Sequence, residues 1–168
     1  MTKASDEWMT PQDLFNKLNE EFDFKLDVAC TIKNSLCENG IYVENESALD
    51  SSWWIWTYVD GDLFRDREIS CWMNPPYSRN LGWRFVQKAF EESQKGCTVV
   101  GLLKFDPSTS WFKDYIYGKA HEVRMCYKRV RFVNPETGKQ EGSPTFPSCI
   151  VVWKPTIPTE TKFSIYEW

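Results

Sequence analysis

The chain has 168 residues, 42% of them hydrophobic, with nine Trp and eleven Phe, so it can bury one substantial core. Its formal net charge of −4 argues against a protein that holds nucleic acid chiefly through bulk positive charge, so a polyanionic partner must contact a local basic face. No stretch approaches the ~18 apolar residues of a membrane span, and we expect a soluble, cytoplasmic protein.

The six cysteines show no metal-binding or disulfide pattern. They form no CxxC pair, and the last four lie inside apolar, strand-like stretches. We therefore expect buried free thiols of a reducing compartment and no metal site.

The N-terminal third is predicted to contain a helix followed by a strand. In EWMTPQDLFNKLNEEF, Thr10 has the position of an N-cap and Pro11 that of the first helical residue, so the helix is predicted to begin at Thr10. The run FDFKLDV then alternates apolar residues at period two, which is typical of a strand. Asp27 is therefore expected near the carboxyl end of this strand.

The middle of the chain alternates predicted strands and helices. GIYV, WIWTYV, EISCWM and CTVVGLL read as strands, and LGWRFVQKAFEESQKG has helical spacing closed by Gly96. SWFKDYIYG suits a short helix that ends at Gly118.

The last part of the chain is predicted to add antiparallel strands. HEVRMCY, KRVRFV and FPSCIVVW read as strands, the last two joined in a hairpin by NPETGKQEGSPT. The fold class is thus α/β, a mostly parallel sheet with an antiparallel C-terminal hairpin, in a single domain over 1–155 followed by a C-terminal tail at 156–168. Ligands of such sheets bind outside the carboxyl ends of the strands, so Asp27 and Asn74 are expected to share a cleft.

The segment Asn74-Pro75-Pro76-Tyr77 is a rigid corner, because each proline removes a backbone donor and fixes φ. An exocyclic amino nitrogen conjugated to a ring is a poor nucleophile unless hydrogen-bond acceptors localise its lone pair. The Asn74 side-chain oxygen and the Pro75 carbonyl are two such acceptors, and Tyr77 offers a face on which a base can stack. A chain-turning device without chemistry is the alternative interpretation.

This corner resembles the catalytic motif of S-adenosylmethionine-dependent amino-methyltransferases, and the chain is similar to the phage-type DNA N6-adenine methyltransferase (Dam) family. The resemblance covers residues 7 to about 153 and is carried, in order, by EWMTPQDLF, LDVAC, NSLC, SALDSSW, CWMNPPYS, TVVGLL, DPSTSWF, KRVRF and FPSCIVVW. It implies a Rossmann-like methyltransferase fold, S-adenosylmethionine as donor, adenine N6 of DNA as acceptor, and a location in the host cytoplasm if a phage encodes the chain.

The resemblance also assigns candidate site residues. The catalytic motif matches Asn74, Pro75, Pro76 and Tyr77, and no obligatory protein partner is evident. The candidates for the cofactor are Trp8, Thr10, Pro11, Asp27, Ala29, either Glu44 or Glu46 for the ribose, and Asp62 with Phe64 for the adenine. Asp62 and Phe64 fit an ordinary surface turn equally well, and no Gly-rich turn follows the first strand.

Basic side chains interspersed with aromatics are the candidates for phosphate contacts, although each alone also fits a solvated face. They are Arg79, Arg84, Lys128, Arg129 and Arg131. The NPPY motif is shared with N-methyltransferases that act on RNA or protein glutamine, which is one alternative function. Another is a catalytically silent protein that binds the cofactor or DNA.

Overall fold

The structure is a computed structural model that describes residues 8–42, 47–53, 58–59, 62–63, 69–77, 81–140 and 145–168. The helices in these ranges are α1 (Gln12–Phe22), α2 (Ser47–Asp50), α3 (Leu81–Ser93) and α4 (Ser110–Tyr115). The strands are β1 (Leu26–Cys30), β2 (Asn39–Tyr42), β3 (Tyr58–Val59), β4 (Asp62–Leu63), β5 (Ile69–Met73), β6 (Cys97–Lys104), β7 (Glu122–Cys126), β8 (Ser148–Trp153) and β9 (Lys162–Tyr166).

Seven of the described strands form one mixed sheet in the order β2-β1-β5-β6-β8-β7-β9. Strands β2, β1, β5 and β6 are parallel neighbours, β8 is antiparallel to both β6 and β7, and β9 pairs with β7 in parallel. Strands β3 and β4 form a separate antiparallel pair. The predicted α/β class with a mostly parallel sheet and an antiparallel part is confirmed.

Helices cover both faces of the sheet, which explains why its central strands read as continuous apolar runs. All five residues of β1 are buried, as are seven of the eight residues of β6. One core cluster contains Phe85 and Ala89 of α3 together with Phe112 of α4. The other contains Leu14 and Leu18 of α1.

Gly101 allows close packing at the centre of the sheet. A Cβ at this position would lie 2.8 Å from Met73 Cε and 3.4 Å from Trp153 Cζ3. Met73 is the last residue of β5, so the missing side chain of Gly101 leaves room for the Met73 side chain directly before the proline corner.

The structure corrects the predicted start of the first helix. Helix α1 begins at Gln12, Pro11 is its N-cap residue with ψ of 135°, and no side chain caps the end. The hydroxyl of Thr10 makes no hydrogen bond within the described residues. In the first turn, the Leu14 N–H donates instead to the Asp13 Oδ1 atom at 2.9 Å, which satisfies one of the N–H groups that an N-cap side chain would otherwise accept from.

The predicted hairpin between KRVRFV and FPSCIVVW is wrong. The partners of β8 are β6 and β7, and residues 128–133 make no strand beyond the isolated bridges of Val133 with Met9 and with Gln140. Val130 and Phe132 are nevertheless buried, while Arg129 and Arg131 are exposed. An extended segment that lies over the core buries every second residue just as a strand does, so its sequence has the same period.

The C-terminal segment contributes the outer strand of the sheet, since β9 pairs with β7 along its whole length. The division into a domain at 1–155 and a tail at 156–168 stays a prediction. All six cysteines are free, and four of them are buried. Among the described helices, none combines the length and apolar character needed to cross a bilayer.

Candidate active site

The proline corner lies at the carboxyl edge of the parallel strands. Strand β5 ends at Met73 and lies between β1 and β6, so Asn74 emerges beside the end of β1. The Asn74 Oδ1 atom is buried and has no hydrogen-bond partner in the described part of the chain. Pro75 and Pro76 are buried behind it. A buried acceptor without a partner is costly, so this oxygen is available to a ligand.

A single cleft brings together five of the predicted site residues: Trp8, Thr10, Asp27, Ala29 and Asn74. The sequence-based expectation that Asp27 and Asn74 share a cleft is therefore correct. The same cleft is lined by four residues that the sequence reasoning missed, namely Met9, Asn34, Leu36 and Trp72. Pro11 is buried next to Thr10 but does not line the cleft.

Asp27 is a buried carboxyl at the floor of this cleft, with 3% of its surface exposed. Its Oδ1 accepts a hydrogen bond from the Ala29 N–H and its Oδ2 one from the Leu36 N–H, each at 3.2 Å. Burial outweighs these hydrogen bonds and raises the pKa of Asp27 to about 7. A cationic group of a ligand would stabilise its ionised form.

Side chains build the turn that follows β1, where a Gly-rich turn is absent. Asn34 Oδ1 accepts from the Thr31 N–H at 2.5 Å, and Thr31 Oγ1 accepts from the Lys33 N–H at 3.3 Å. The turn places the Leu36 N–H where it donates a hydrogen bond to Asp27 Oδ2. Asn and Thr side chains replace backbone turn contacts in this way. Their presence in CTIKNSLC was the signal that could have indicated Asn34.

Gly40 gives the same turn room against β2. A Cβ on Gly40 would lie 2.6 Å from Cys30 Sγ and 3.0 Å from Ser35 Oγ. Gly40 is the β2 partner of Asp27, so the side chains of Cys30 and Ser35 can pack over β2 beside the cleft because Gly40 has no side chain.

The N-terminal segment is held against the cleft by backbone hydrogen bonds. The Met9 N–H donates to the Val133 carbonyl at 2.8 Å and the Val133 N–H donates back at 2.9 Å. The Thr10 Oγ1 atom is buried and has no partner among the described residues. A second unpaired oxygen, besides that of Asn74, thus faces the same cleft.

Tyr77 has a buried hydroxyl and an exposed ring. Its O–H donates to the Leu102 carbonyl at 2.8 Å, and burial raises the pKa of Tyr77 above its usual range. The residue as a whole is 38% exposed, so the hydrogen bond fixes the ring while part of it faces solvent. Phe146 lies 5.6 Å from it, centroid to centroid, with the planes at 59°. Sequence reasoning missed Phe146, which comes from a loop distant in the chain.

A family model described as "DNA N-6-adenine-methyltransferase (Dam)" matches residues 1–167. The chain belongs to this family. A relative named DNA N-6-adenine-methyltransferase from Haemophilus phage HP1 (strain HP1c1) is 30% identical over 169 residues, which cover 98% of this chain and 89% of the relative. A second relative of the same name, from Escherichia phage T1, is 30% identical over 149 residues, 80% of this chain and 56% of that protein.

Not all candidates of this Dam-family chain can be placed. Glu44, Glu46, Phe64 and Arg79 lie outside the described residues, and of Asp62 only the backbone, in β4, is described. Their roles stay predictions.

The remaining basic candidates are exposed but lie outside the cleft lining. Arg84 is on the first turn of α3, directly after the corner segment. Lys128, Arg129 and Arg131 are exposed on the segment that ends at Val133, the residue paired with Met9. The basic segment is thereby joined to the N-terminal wall of the cleft, and its contact with phosphates stays a prediction.

Proposed function

We infer that this chain is an enzyme that methylates the N6 atom of adenine in DNA, as its family and its two phage relatives indicate. We further propose a Rossmann-like methyltransferase fold and S-adenosylmethionine as the donor. The observation that carries the site assignment is the unpaired Asn74 Oδ1 beside the cleft that also holds Asp27. We place the reaction in the host cytoplasm because both relatives are phage proteins.

The groups that line the described cleft suit the chemistry of the proposed donor. S-adenosylmethionine, when bound, supplies a methyl group activated by a sulfonium, and it carries an ammonium and several hydrogen-bond donors. The buried carboxyl of Asp27 would pair with a cationic group, and Thr10 Oγ1 would gain the partner that it lacks. Trp8 and Trp72 supply aromatic walls, and Asn34 adds a polar one.

The corner can activate the acceptor amine. Asn74 Oδ1 and the Pro75 carbonyl would accept hydrogen bonds from the two N6 hydrogens, which localises the nitrogen lone pair for attack on the methyl carbon. The amine becomes acidic once it is methylated, so no base of unusual strength is needed for its proton to leave. Acceptors aimed at a charge that develops in the transition state accelerate the reaction rather than only strengthening binding.

The Tyr77 ring would support the adenine before and during transfer. An adenine must leave the DNA stack to reach such a site, which costs a few kcal/mol, and stacking on an aromatic side chain returns about 1–3 kcal/mol. The hydrogen bond from the Tyr77 hydroxyl to the Leu102 carbonyl would hold the ring in position for stacking, and the Phe146 ring lies beside it in a tilted orientation.

The substitution Asn74→Ala tests the assignment. Because it removes one acceptor at a developing charge, we expect single-turnover methylation of DNA to fall by roughly 10²–10³, with DNA and S-adenosylmethionine dissociation constants changed far less. Labelled product should be N6-methyladenine. Near wild-type rates in the variant would reduce the corner to a structural turn.

Tyr77→Ala is the contrasting variant. Stacking supports the base in the ground state and the transition state alike, so DNA binding should weaken together with the rate. RNA and protein substrates run in parallel give a direct check of the acceptor. Label found only in one of those, with none in DNA, would contradict the proposed substrate.

A further inference from the structure

Trp83 is unusual among the tryptophans of the described residues because it is exposed. Its exposed fraction is 42%, whereas Trp53, Trp72 and Trp153 are at most 1% exposed. Tryptophan is usually well buried, and a large exposed aromatic side chain is a common feature of binding surfaces. Trp83 is also absent from both core clusters and from the cleft lining.

The position of Trp83 is fixed by contact between α3 and the proline corner. A Cβ on its neighbour Gly82 would lie 3.6 Å from the Pro76 carbonyl oxygen and 3.9 Å from Tyr77 Cδ1. Consecutive Cα atoms are ~3.8 Å apart, so the backbone of Trp83 begins one residue from van der Waals contact with the Tyr77 ring. The exposed indole is therefore attached one residue from the place where α3 contacts the proposed stacking residue, which is itself 38% exposed.

The charges around Trp83 suit a polyanion. Arg84 is exposed beside it, and the first turn of α3 contains no acidic residue. No ion pair within the described residues involves Arg84. The buried face of α3, which includes Phe85, Val86 and Ala89, is already packed in the core, so Trp83 lies on a flank that the described residues leave exposed.

We propose that Trp83 is a DNA-contacting residue that packs against the bases flanking the flipped adenine. The inference rests on the proposed function, because the DNA that reaches Tyr77 must pass over the start of α3. An aromatic ring at that place can stack on a neighbouring base and compensate for the stacking that is lost when adenine leaves the helix. The role is sequence-tolerant, since every base presents a π-face.

The test compares Trp83→Ala, Trp83→Phe and Trp83→Lys with wild type on duplex plasmid DNA that lacks N6-methyladenine. The matched control is Tyr117→Ala, an aromatic residue that is 66% exposed just after α4. We expect Trp83→Ala to lower kcat/KM for DNA by roughly 5- to 100-fold. Phe should restore most of the loss, and Lys, which adds charge without a ring, should not. Tyr117→Ala should match wild type.

Two further measurements separate DNA contact from structural damage. S-adenosylmethionine affinity by calorimetry and the thermal midpoint should be the same in wild type and all Trp83 variants. The proposal is overturned if Trp83→Ala stays within twofold of wild type, if Lys restores activity as well as Phe, or if cofactor affinity falls in parallel. Wild-type enzyme that fails to methylate the plasmid would instead refute the proposed function.

Discussion

At the scale of single residues, the cleft is marked by polar groups that the protein leaves uncompensated. Four buried side-chain oxygens lack a partner in the described residues, and two of them, Thr10 Oγ1 and Asn74 Oδ1, line this cleft. Each such atom costs about 1–3 kcal/mol. The buried carboxyl of Asp27 is a third destabilising group in the same cleft. A bound ligand that hydrogen-bonds to these three groups would therefore stabilise the folded protein.

Asp27→Asn tests this interpretation through its pH dependence. With a pKa of about 7, the wild-type carboxyl is protonated in mild acid and must lose its proton to pair with a cationic ligand group. We therefore expect S-adenosylmethionine affinity to rise up to about tenfold per pH unit below pH 7 and to level off above it. In the variant the affinity should be weaker and nearly flat. Calorimetry from pH 5.5 to 8.5 measures both.

Stability gives an independent check on the same carboxyl. The folded-state pKa is raised from 3.8 to about 7, so the folded state binds the proton more tightly than the unfolded chain. The free energy of unfolding contributed by Asp27 is thus highest below pH 3.8 and falls as the pH rises to about 7. Asp27→Asn should remove this decline, and an identical decline in variant and wild type would refute the raised pKa.

At the scale of elements, α3 is anchored at both ends. Its first turn packs on the proline corner through Gly82, and near its last turn the buried carboxylate of Glu92 accepts from the Trp53 N–H at 3.0 Å. Lys88 and Lys95 each contact Glu92 Oε1 at 2.8 Å. Burial alone would raise the pKa of Glu92, but these hydrogen bonds outweigh it and hold the pKa below its usual value.

Glu92→Gln should destabilise the protein by about 3 kcal/mol, because it leaves Lys88, whose side chain is only 11% exposed, without its counterion. The exposed pair of Gln87 and Glu91 on the same helix supplies the control, since Glu91→Gln should cost less than about 0.5 kcal/mol. Urea unfolding at pH 7 measures both. The wild-type advantage should disappear as the pH falls through the lowered pKa of Glu92, and equal effects of the two substitutions would contradict the anchoring role.

Elements with strong local signals were predictable from the sequence. The apolar runs of β5 and β6 and the helical spacing of α3 depend on neighbouring residues, and Gly96 after α3 does have a positive φ of 118°. The position of β8 between β6 and β7 depends on long-range pairing, which period alone does not encode. For this reason the pairing of KRVRFV with β8 was predicted wrongly.

The residues of the candidate site also differ in how far they could be predicted from the sequence. Asp27 and Asn74 follow strands, so their meeting at the sheet edge could be inferred from topology. Phe146 reaches Tyr77 only because β8 runs antiparallel and starts at that edge, where the Phe105 N–H donates to the Pro147 carbonyl at 2.9 Å. The turn around Asn34 has no regular spacing of apolar residues, so the sequence pattern does not indicate its position. The positions of Asp27 and Asn74 could therefore be inferred from the strand order, whereas Asn34 and Phe146 depend on a local turn and on a long-range contact that the sequence pattern does not encode.

At the scale of the whole molecule, helix α1 near the N-terminus contacts strands β7 and β9 near the C-terminus on the α1 face of the sheet. Arg124 of β7 contacts both carboxylate oxygens of Glu21 in α1 at 2.6 Å. Its guanidinium also lies 5.4 Å from the Phe22 ring centroid and 5.8 Å from that of Tyr166 in β9. Lys17 of α1 adds a hydrogen bond to the Glu167 carbonyl at 2.7 Å. One side chain thus joins a helix and two strands.

Arg124→Ala should therefore lower global stability without touching the chemistry. The side chain is 11% exposed and combines a bidentate ion pair with two ring contacts, so we expect a loss of about 2 kcal/mol, or roughly 4–8 °C in Tm. Arg124→Lys should recover only part of this stability, because an ammonium group cannot form the paired hydrogen bonds.

The same substitution should leave the methylation rate unchanged. Strand β7 is three positions from β5 in the sheet, about 14 Å, so methylation rates of the Arg124 variants at 25 °C should match wild type. Lys25→Ala, which removes an exposed ion pair with Asp23, is the control and should shift Tm by less than about 2 °C. Scanning calorimetry and a methylation assay on the same samples measure both effects. An unchanged Tm would show that the Arg124 contacts do not contribute to stability, and a lost rate at unchanged stability would place Arg124 in the functional site instead.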